Sequence, residues 1–381
     1  MRICMIMSTP LPPREGIGFY VWNLSRYLMS QGHQVQIITR GDAQPLRRET
    51  VAGVTIWRAP FLPMYPVHVH LHGALVQRLV RRLEPSVDLF HLHTPLVPAV
   101  KVTAPLLVTV HTPIKADAGA IDANNMLGVL VKLQTPVSVR LERDLFARAN
   151  KITAVASSVA QELAAYDIDP AEVTVLGNGV DTDAFTPGAH HQVVGGRPYF
   201  LTTGRLAPRK GLEDLLRCAT IVAREYPAYR FLVAGAGPLE AELREAIRRN
   251  GLEHSVVLLG HVAERKRMAA LYSGATAYIH PAHYEGLSTA LLEAMACGRP
   301  VVATGVSGAL DVVEHGRNGL LVRPRNPHDM AQAVMELIRY PELALKLADG
   351  ARRTVQERYS WQVVGRAYAD EYTGLLQGVA A

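Results

Sequence analysis

The sequence predicts an α/β protein built of two doubly wound domains. Short apolar, β-branched runs alternate with amphipathic stretches throughout, the alternation starts twice, and a Gly-, Pro- and His-rich stretch without periodicity separates the two halves. Strands of a parallel sheet are buried on both faces and therefore read as continuous apolar runs, with helices supplying the covering layers. At 381 residues, 49% hydrophobic and 19% charged, the chain is also too long for one ordinary core. Such sheets bind ligands outside the carboxyl ends of their strands, so two of them facing a central cleft would place function in the strand-to-helix loops.

In the first half, strands are expected at Ile3–Met7, Val35–Thr39, Val54–Arg58, Leu89–Leu92, Leu106–Val110, Ile152–Val155 and Val173–Leu176, with helices between most of them. Gly32 is placed to close the helix Phe19–Ser30 in a left-handed turn. The second half restarts at Tyr199–Thr203 and continues with Phe231–Ala234, Val256–Leu259, Ala277–Ile279, Val301–Ala303 and Leu320–Val322. From Pro327 the pattern is helical, broken at Tyr359-Ser360-Trp361, where Ser360 is placed to cap a last helix. The expected division is therefore a domain over 1–184, a linker over 185–198, a second domain over 199–358 and a final segment over 359–381.

Composition narrows the function. Cys4, Cys218 and Cys297 have no paired spacing, which argues against a disulfide framework or zinc site and fits a reducing cytoplasm. No run is apolar and long enough for a membrane span or signal peptide. The net charge of +6 is spread out and not gathered in a nucleic-acid arm, which favours small anionic ligands. Arg78, Arg81 and Arg82 do cluster, on a stretch whose Val69, Leu71, Leu75, Leu79 and Leu83 would form an apolar stripe. Such a helix either lies on the inner face of an anionic membrane or, more commonly, packs on its own domain with a solvated basic face.

Four strand-to-helix loops carry residues suited to phosphate and sugar. After the first strand, Gly16 and Gly18 in Arg14-Glu15-Gly16-Ile17-Gly18 would let backbone N–H groups approach an anion. Val21 stands where a dinucleotide fingerprint wants a third small residue, and the second strand ends in Thr39-Arg40 without a ribose acid, which disfavours a dehydrogenase. After Tyr199–Thr203, Arg205 and Lys210 in Gly204-Arg205-Leu206-Ala207-Pro208-Arg209-Lys210-Gly211 would clamp a pyrophosphate or simply be solvated cations. The third loop, Ala234 to Glu240, reads as a tight turn that keeps side chains out of the cleft. The fourth, His280 to Gly298, is the richest: a buried strand ends, Glu285 and Gly286 follow, Ser288 or Thr289 opens a helix, and Gly298 closes it. The helix N-terminus would face a phosphate, and Glu293 would lie roughly 6 to 8 Å along the axis from Ser288.

With those residues in view, the chain resembles the GT-B fold retaining glycosyltransferases of family 4 (glycosyl transferases group 1). The resemblance spans nearly the whole chain. It rests on Glu285 and Glu293 in an E-x7-E spacing followed by AMACGRPVVAT, on Arg205 and Lys210, on Asn178-Gly179-Val180-Asp181, and on Tyr359-Ser360-Trp361. It implies that Glu285 binds sugar hydroxyls, Glu293 the ribose, and Arg205 and Lys210 the diphosphate. Backbone N–H groups from Gly286, Leu287, Ser288, Thr289 and Ala290, with Gly16, would complete a phosphate cradle. His261 and Val262 would hold the nucleobase, His111 would contact the transferred sugar, and the last helix would cross back onto the first domain. Glu15 and Thr112 depart from the family, where many relatives have a glycine and an acid.

The implied reaction moves a sugar from a nucleotide-diphosphate donor to a hydroxyl acceptor with retention, a UDP-sugar being preferred to GDP-mannose. The acceptor is a glycan, a lipid or a small molecule. No cofactor or essential metal is expected, because Arg205 and Lys210 supply neutralising charge; Asp181-Thr182-Asp183 nonetheless spells a metal-binding D-x-D. The alternating His68, His70 and His72, and His91 and His93, are read as lining the acceptor side. Two competing functions are a GT-B sugar-nucleotide 2-epimerase and a non-catalytic nucleotide-sugar-binding protein.

Overall fold

The computed structural model describes residues 1–13, 16–62, 68–95, 100–119, 126–188 and 196–380. The chain forms two compact units. The first is Met1–Gly179 together with Trp361–Ala381, and the second is the contiguous segment Val180–Ser360.

The first unit contains an eight-stranded sheet of β1 (Arg2–Met7), β2 (Gln34–Arg40), β3 (Arg47–Val51), β4 (Val54–Ala59), β5 (Leu89–Thr94), β6 (Leu106–Val110), β7 (Lys151–Ala154) and β8 (Thr174–Val175), in the order β3-β4-β2-β1-β5-β6-β7-β8. Every pairing is parallel except β3 with β4. The hairpin strand β3 was absent from the sequence reading. Its RRETV run has no apolar alternation because it lies on the sheet edge, where charged side chains discourage pairing with other chains. Glu49 of β3 pairs with Arg58 of β4, and the Arg48 guanidinium lies 5.2 Å from the Trp57 ring.

The second unit contains a six-stranded, wholly parallel sheet of β9 (Tyr199–Thr203), β10 (Arg230–Ala234), β11 (Val256–Gly260), β12 (Ala277–His280), β13 (Val301–Thr304) and β14 (Leu320–Val322), in the order β11-β10-β9-β12-β13-β14. The winding runs one way from β9 and the other way from β12, so these neighbours form a switch point at which the loops leaving them diverge. In the first unit β1, between β2 and β5, has the same place.

Residues expected to link the domains belong to the second unit. Phe185 is buried 5.8 Å from the Tyr272 ring, with Arg265 over its face, and Arg352 donates to the carbonyls of Phe185 and Thr182. The rest of the expected linker, 189–195, lies outside the described residues. Asp181, first acid of the D-x-D, accepts from the Asp183 and Ala184 amides and pairs with Arg265, so its carboxylate closes a turn.

The helix Trp361–Ala380 packs on the first unit, where Trp361, Val364, Tyr368 and Tyr372 join a core with Ile3, Met5, Tyr20 and Leu24. The Ser360 hydroxyl donates back to the Gln356 carbonyl, which ends the preceding helix. His91 and His93 are fully buried, which corrects their expected place on the acceptor side. His91 bonds Tyr372 Oη at 2.7 Å and Thr109 Oγ1 at 2.6 Å, and Thr109 reaches Thr153 and Tyr368. Burial holds both imidazoles well below their usual pKa, so they are neutral hydrogen-bonding groups of the core. His72 is buried too, bonded to the Pro60 carbonyl at 2.9 Å, while the side chains of His68 and His70 lie outside the described residues.

The basic helix His68–Leu83 buries Val76, Leu79, Val80 and Leu83 and exposes Arg78, Arg81 and Arg82. Its inner face follows the i, i+3, i+4, i+7 period, so Leu71, expected in the stripe, is exposed. Among the described residues no helix is long and apolar enough to cross a membrane.

Gly179 and Trp361 meet where the first unit is rejoined. A Cβ on Gly179 would come within 2.4 Å of the buried indole, so Gly179→Ala is expected to cost about 1–3 kcal/mol through overpacking. Gly374, in the same C-terminal helix, has nothing within 4 Å of a Cβ, and Gly374→Ala should be neutral or stabilise by up to ~1 kcal/mol. Equilibrium denaturation of the two variants checks the contrast.

Candidate donor site at the switch point of the second sheet

The loop after β9 rests on backbone-to-backbone contact with the loop after β10. Gly204, Leu206 and Leu239 amides donate to the carbonyls of Ala234, Ala236 and Leu206 at 3.0, 3.0 and 3.1 Å. Only glycine permits this approach: at Gly235, with φ +154°, a Cβ would lie 1.8 Å from the Gly204 carbonyl oxygen, and at Gly237 2.4 Å from that of Leu206. The third Gly-rich loop is therefore a seat for the second, a more specific role than a turn free of side chains.

Pro208–Lys210 then forms a single 3-10 turn, ended by Gly211 in the left-handed region at φ +63°. A Cβ on Gly211 would lie 1.9 Å from the Pro281 carbonyl oxygen, because the loop after β12 runs directly alongside. Across this contact Lys210 Nζ donates to Glu285 Oε2, with side chains only 17% and 19% exposed. Burial alone would push the Glu285 carboxyl up, but the Lys210 ammonium, joined by His280 and Arg209, outweighs it and holds the carboxyl below the usual carboxylate range. Arg205 is exposed on the wall of a shallow depression that Gly204, Lys210 and His280 also line. Burial lowers the His280 pKa to about 4, so that imidazole is neutral.

The helix after β12 runs Thr289–Ala296, with Ser288 as its N-cap accepting from the Leu291 amide. Gly298, at φ +62°, ends it. Gly286, Thr289 and Ala290 are partly exposed, while Leu287 and Ser288 are buried. Gly308 belongs to the same site and was missed: its amide donates to the Glu285 carbonyl at 3.3 Å, and a Cβ would lie 2.0 Å from the Gly286 carbonyl oxygen. The signal available was the Ser307-Gly308 pair just past the strand VVAT.

Glu293 occupies a second environment. Burial raises its carboxyl to about 7, with Arg265 and a hydrogen bond from Tyr272 opposing that rise only in part. Tyr272, fully buried, also meets Thr203 Oγ1 at 2.7 Å, which connects Glu293 to the end of β9. One carboxylate is therefore paired and ionised, while the other titrates near neutrality. His261, exposed, and Val262, partly exposed, follow β11; the Gly260 carbonyl before them accepts from the Gly235 amide at 2.8 Å.

The remaining expected residues are in the first unit. Gly16 begins the helix Gly16–Ser30 and is exposed, and Gly18 is buried against Pro13. Arg14 and Glu15 lie outside the described residues, as do 96–99 and 120–125. His111 follows β6, is 8% exposed, and has Nε2 at 3.4 Å from His93 Nδ1. Burial lowers its pKa to about 3, so the imidazole is neutral at physiological pH. Among the described residues no three His, Cys, Asp or Glu side chains gather as a metal site.

Comparison with known proteins identifies the class. Residues 14–184 match Glycosyltransferase Family 4 and residues 197–340 match Glycosyl transferases group 1. A D-inositol 3-phosphate glycosyltransferase of Catenulispora acidiphila is 30% identical over 400 residues, covering 96% of this chain and 91% of that protein. A glycogen synthase of Mycobacterium tuberculosis is 27% identical over 406 residues, covering 99% and 96%. Among solved structures, sucrose-phosphate synthase from Thermosynechococcus elongatus superposes with a TM-score of 0.84 at 20% identity, covering 99% of each chain. Anabaena HepE in complex with UDP-glucose gives 0.76 at 18% identity, covering 98% of this chain and 100% of that one. The chain belongs to the family-4 glycosyltransferases (glycosyl transferases group 1), enzymes of GT-B fold that transfer a sugar from a nucleotide-sugar donor.

Removing the ammonium leaves burial to act on Glu285 with that opposition gone. In Lys210→Met the carboxyl pKa therefore rises, and the acid limb of the pH–rate profile for donor turnover moves to higher pH. The maximal rate should fall about 100-fold, as for loss of one preorganised charge-stabilising donor. A profile that keeps the wild-type acid limb would contradict the pairing.

Proposed function

We propose that the chain transfers a sugar from a UDP-sugar to a hydroxyl acceptor with retention at the anomeric carbon, using the switch-point loops of the second unit as its donor site. The observation that carries this is the pairing of Lys210 with Glu285 beside the N-terminus of Thr289–Ala296, with Arg205 on the same depression. Cations, free helix N–H groups and a carboxylate there match a diphosphate joined to a sugar.

Arg205 and Lys210 neutralise the nucleoside diphosphate as the anomeric C–O bond breaks. The amides from Gly286 to Ala290 bind its oxygens. Glu285, ionised, accepts from sugar hydroxyls, and Glu293 accepts from the ribose. A departing phosphate oxygen takes the acceptor proton on the face it leaves, which retains configuration without a protein nucleophile. The protein's contribution is positioning and leaving-group stabilisation, with no essential metal. His261 and Val262 take the nucleobase. From the first unit, the family resemblance assigns Gly16 to phosphate and His111 to the transferred sugar, with Gly18 added from the loop's composition; a neutral imidazole suits a hydroxyl partner.

UDP is preferred to GDP because UDP-glucose is the ligand of the HepE structure. Glycan, lipid and small-molecule acceptors all fit a hydroxyl nucleophile. The helix His68–Leu83 packs on its own domain, and its exposed Arg78, Arg81 and Arg82 leave a basic face open to peripheral contact with an anionic membrane surface.

A thermal-shift panel of UDP-, GDP- and ADP-sugars tests the donor: a ligand at a hundred times its dissociation constant stabilises by ~2.7 kcal/mol. The double variant Arg205→Ala/Lys210→Ala should abolish both the shift from the preferred donor and its slow hydrolysis; near-normal turnover sinks the assignment. Incubation with donor alone also separates hydrolysis from epimerisation at C2. The Glu293 carboxyl, at about 7, gives a further test. Ribose hydroxyls donate to the ionised form, so donor affinity should rise as pH increases through about 7, and Glu293→Gln should flatten that dependence in titration calorimetry.

A further inference from the structure

His283 is absorbed by none of the roles above, yet it makes two contacts across the boundary between the site's two principal loops. Its backbone amide donates to the Arg209 carbonyl at 2.8 Å. Its Nε2 lies 2.7 Å from Asp214 Oδ2, at the start of the helix Leu212–Glu225 that the first loop enters. The side chains are 18% and 11% exposed, so water competes weakly for this bond. A carboxylate can only accept, so the imidazole carries a proton on Nε2 and donates it.

These bonds bracket Lys210. Arg209 precedes it, and Asp214 lies four residues after it, beyond the Gly211 hinge, whose Cβ position is bounded by the Pro281 carbonyl and by His283 Nε2 at 3.1 Å. Two residues beyond His283 is Glu285, the partner of the Lys210 ammonium. Lysine has a long, flexible stem and its rotamer freedom opposes a fixed position. A fastening on either side of its backbone limits that freedom to the side chain itself.

We propose that His283 is a positioning residue: with Asp214 it forms a clasp that holds the Lys210 loop against the Glu285 loop, so that the ammonium reaches the terminal phosphate of the donor's nucleoside diphosphate. The inference rests on the donor-site reading above. The clasp touches no substrate, and its effect is confined to the phosphate that Lys210 contacts.

The test compares the affinities of UDP and UMP, and of GDP and GMP, by titration calorimetry on the full chain. In the wild type the diphosphate of the favoured base binds more tightly than its monophosphate. In His283→Ala the diphosphate is expected to weaken about tenfold, the loss of one charge-assisted hydrogen bond, while the monophosphate changes less than about twofold. His283→Gln, whose Nε2 amide can reach Asp214, should restore most of the difference, and Asp214→Asn should reproduce part of the loss in a side chain of the same size. Asp214→Asn decides the question if His283→Ala fails to fold. Equal weakening of diphosphate and monophosphate, with Lys210→Ala still selective against the diphosphate, overturns the clasp alone. No loss of selectivity in Lys210→Ala, or no binding of any of the four nucleotides, overturns the donor reading and the clasp's function with it.

Discussion

A carboxylate and an ammonium taken out of water cost several kcal/mol each unless they meet in good geometry. Lys210 and Glu285 are 75 residues apart and meet because β9 and β12 are parallel neighbours whose following loops leave from one edge of the sheet. Much else in the second unit serves that meeting. Gly235 and Gly237 let one loop lie on another, Gly211 lets the Lys210 turn touch the β12 loop, and Gly308 admits the Gly286 carbonyl. Each of these glycines stands where a backbone needs to approach another backbone, so the site is shaped as much by missing side chains as by present ones.

The two glutamates show how one loop-and-helix segment produces different electrostatic environments. Glu285 faces a cation and remains ionised. Glu293, one to two turns into the helix, feels the Arg265 guanidinium and accepts from the Tyr272 phenol, and burial prevails. A site with one acceptor held ionised by a cation and one that titrates near neutrality can recognise different hydroxyls with different sensitivity to pH.

Much of this was legible in the sequence because parallel strands are uniform apolar runs and because cap residues and glycines mark loop ends. Ser288 and Gly298 bound their helix as their residue types suggest. Features set by tertiary contact were harder to read. An exposed edge strand such as β3 has no apolar alternation to reveal it. His91 and His93 read as lining the acceptor side because histidine is polar; the burial of His91 is matched by hydroxyls from Thr109 and, 281 residues after it, Tyr372. Nothing local to HLH announces those partners. Asp214 and His283 were silent for the same reason, each being an ordinary residue until the other is placed beside it.

Because the second unit is a contiguous segment and the first is split around it, synthesis order and folding order diverge. As the ribosome extends the chain, Val180–Ser360 has every residue it needs before the first unit does. The earlier-made sheet waits for Trp361, Tyr368 and Tyr372 to fill its core and to supply hydroxyls for its buried polar groups. Until then it exposes an apolar face, and a chain cut short after Ser360 would have one complete half and one unfinished half.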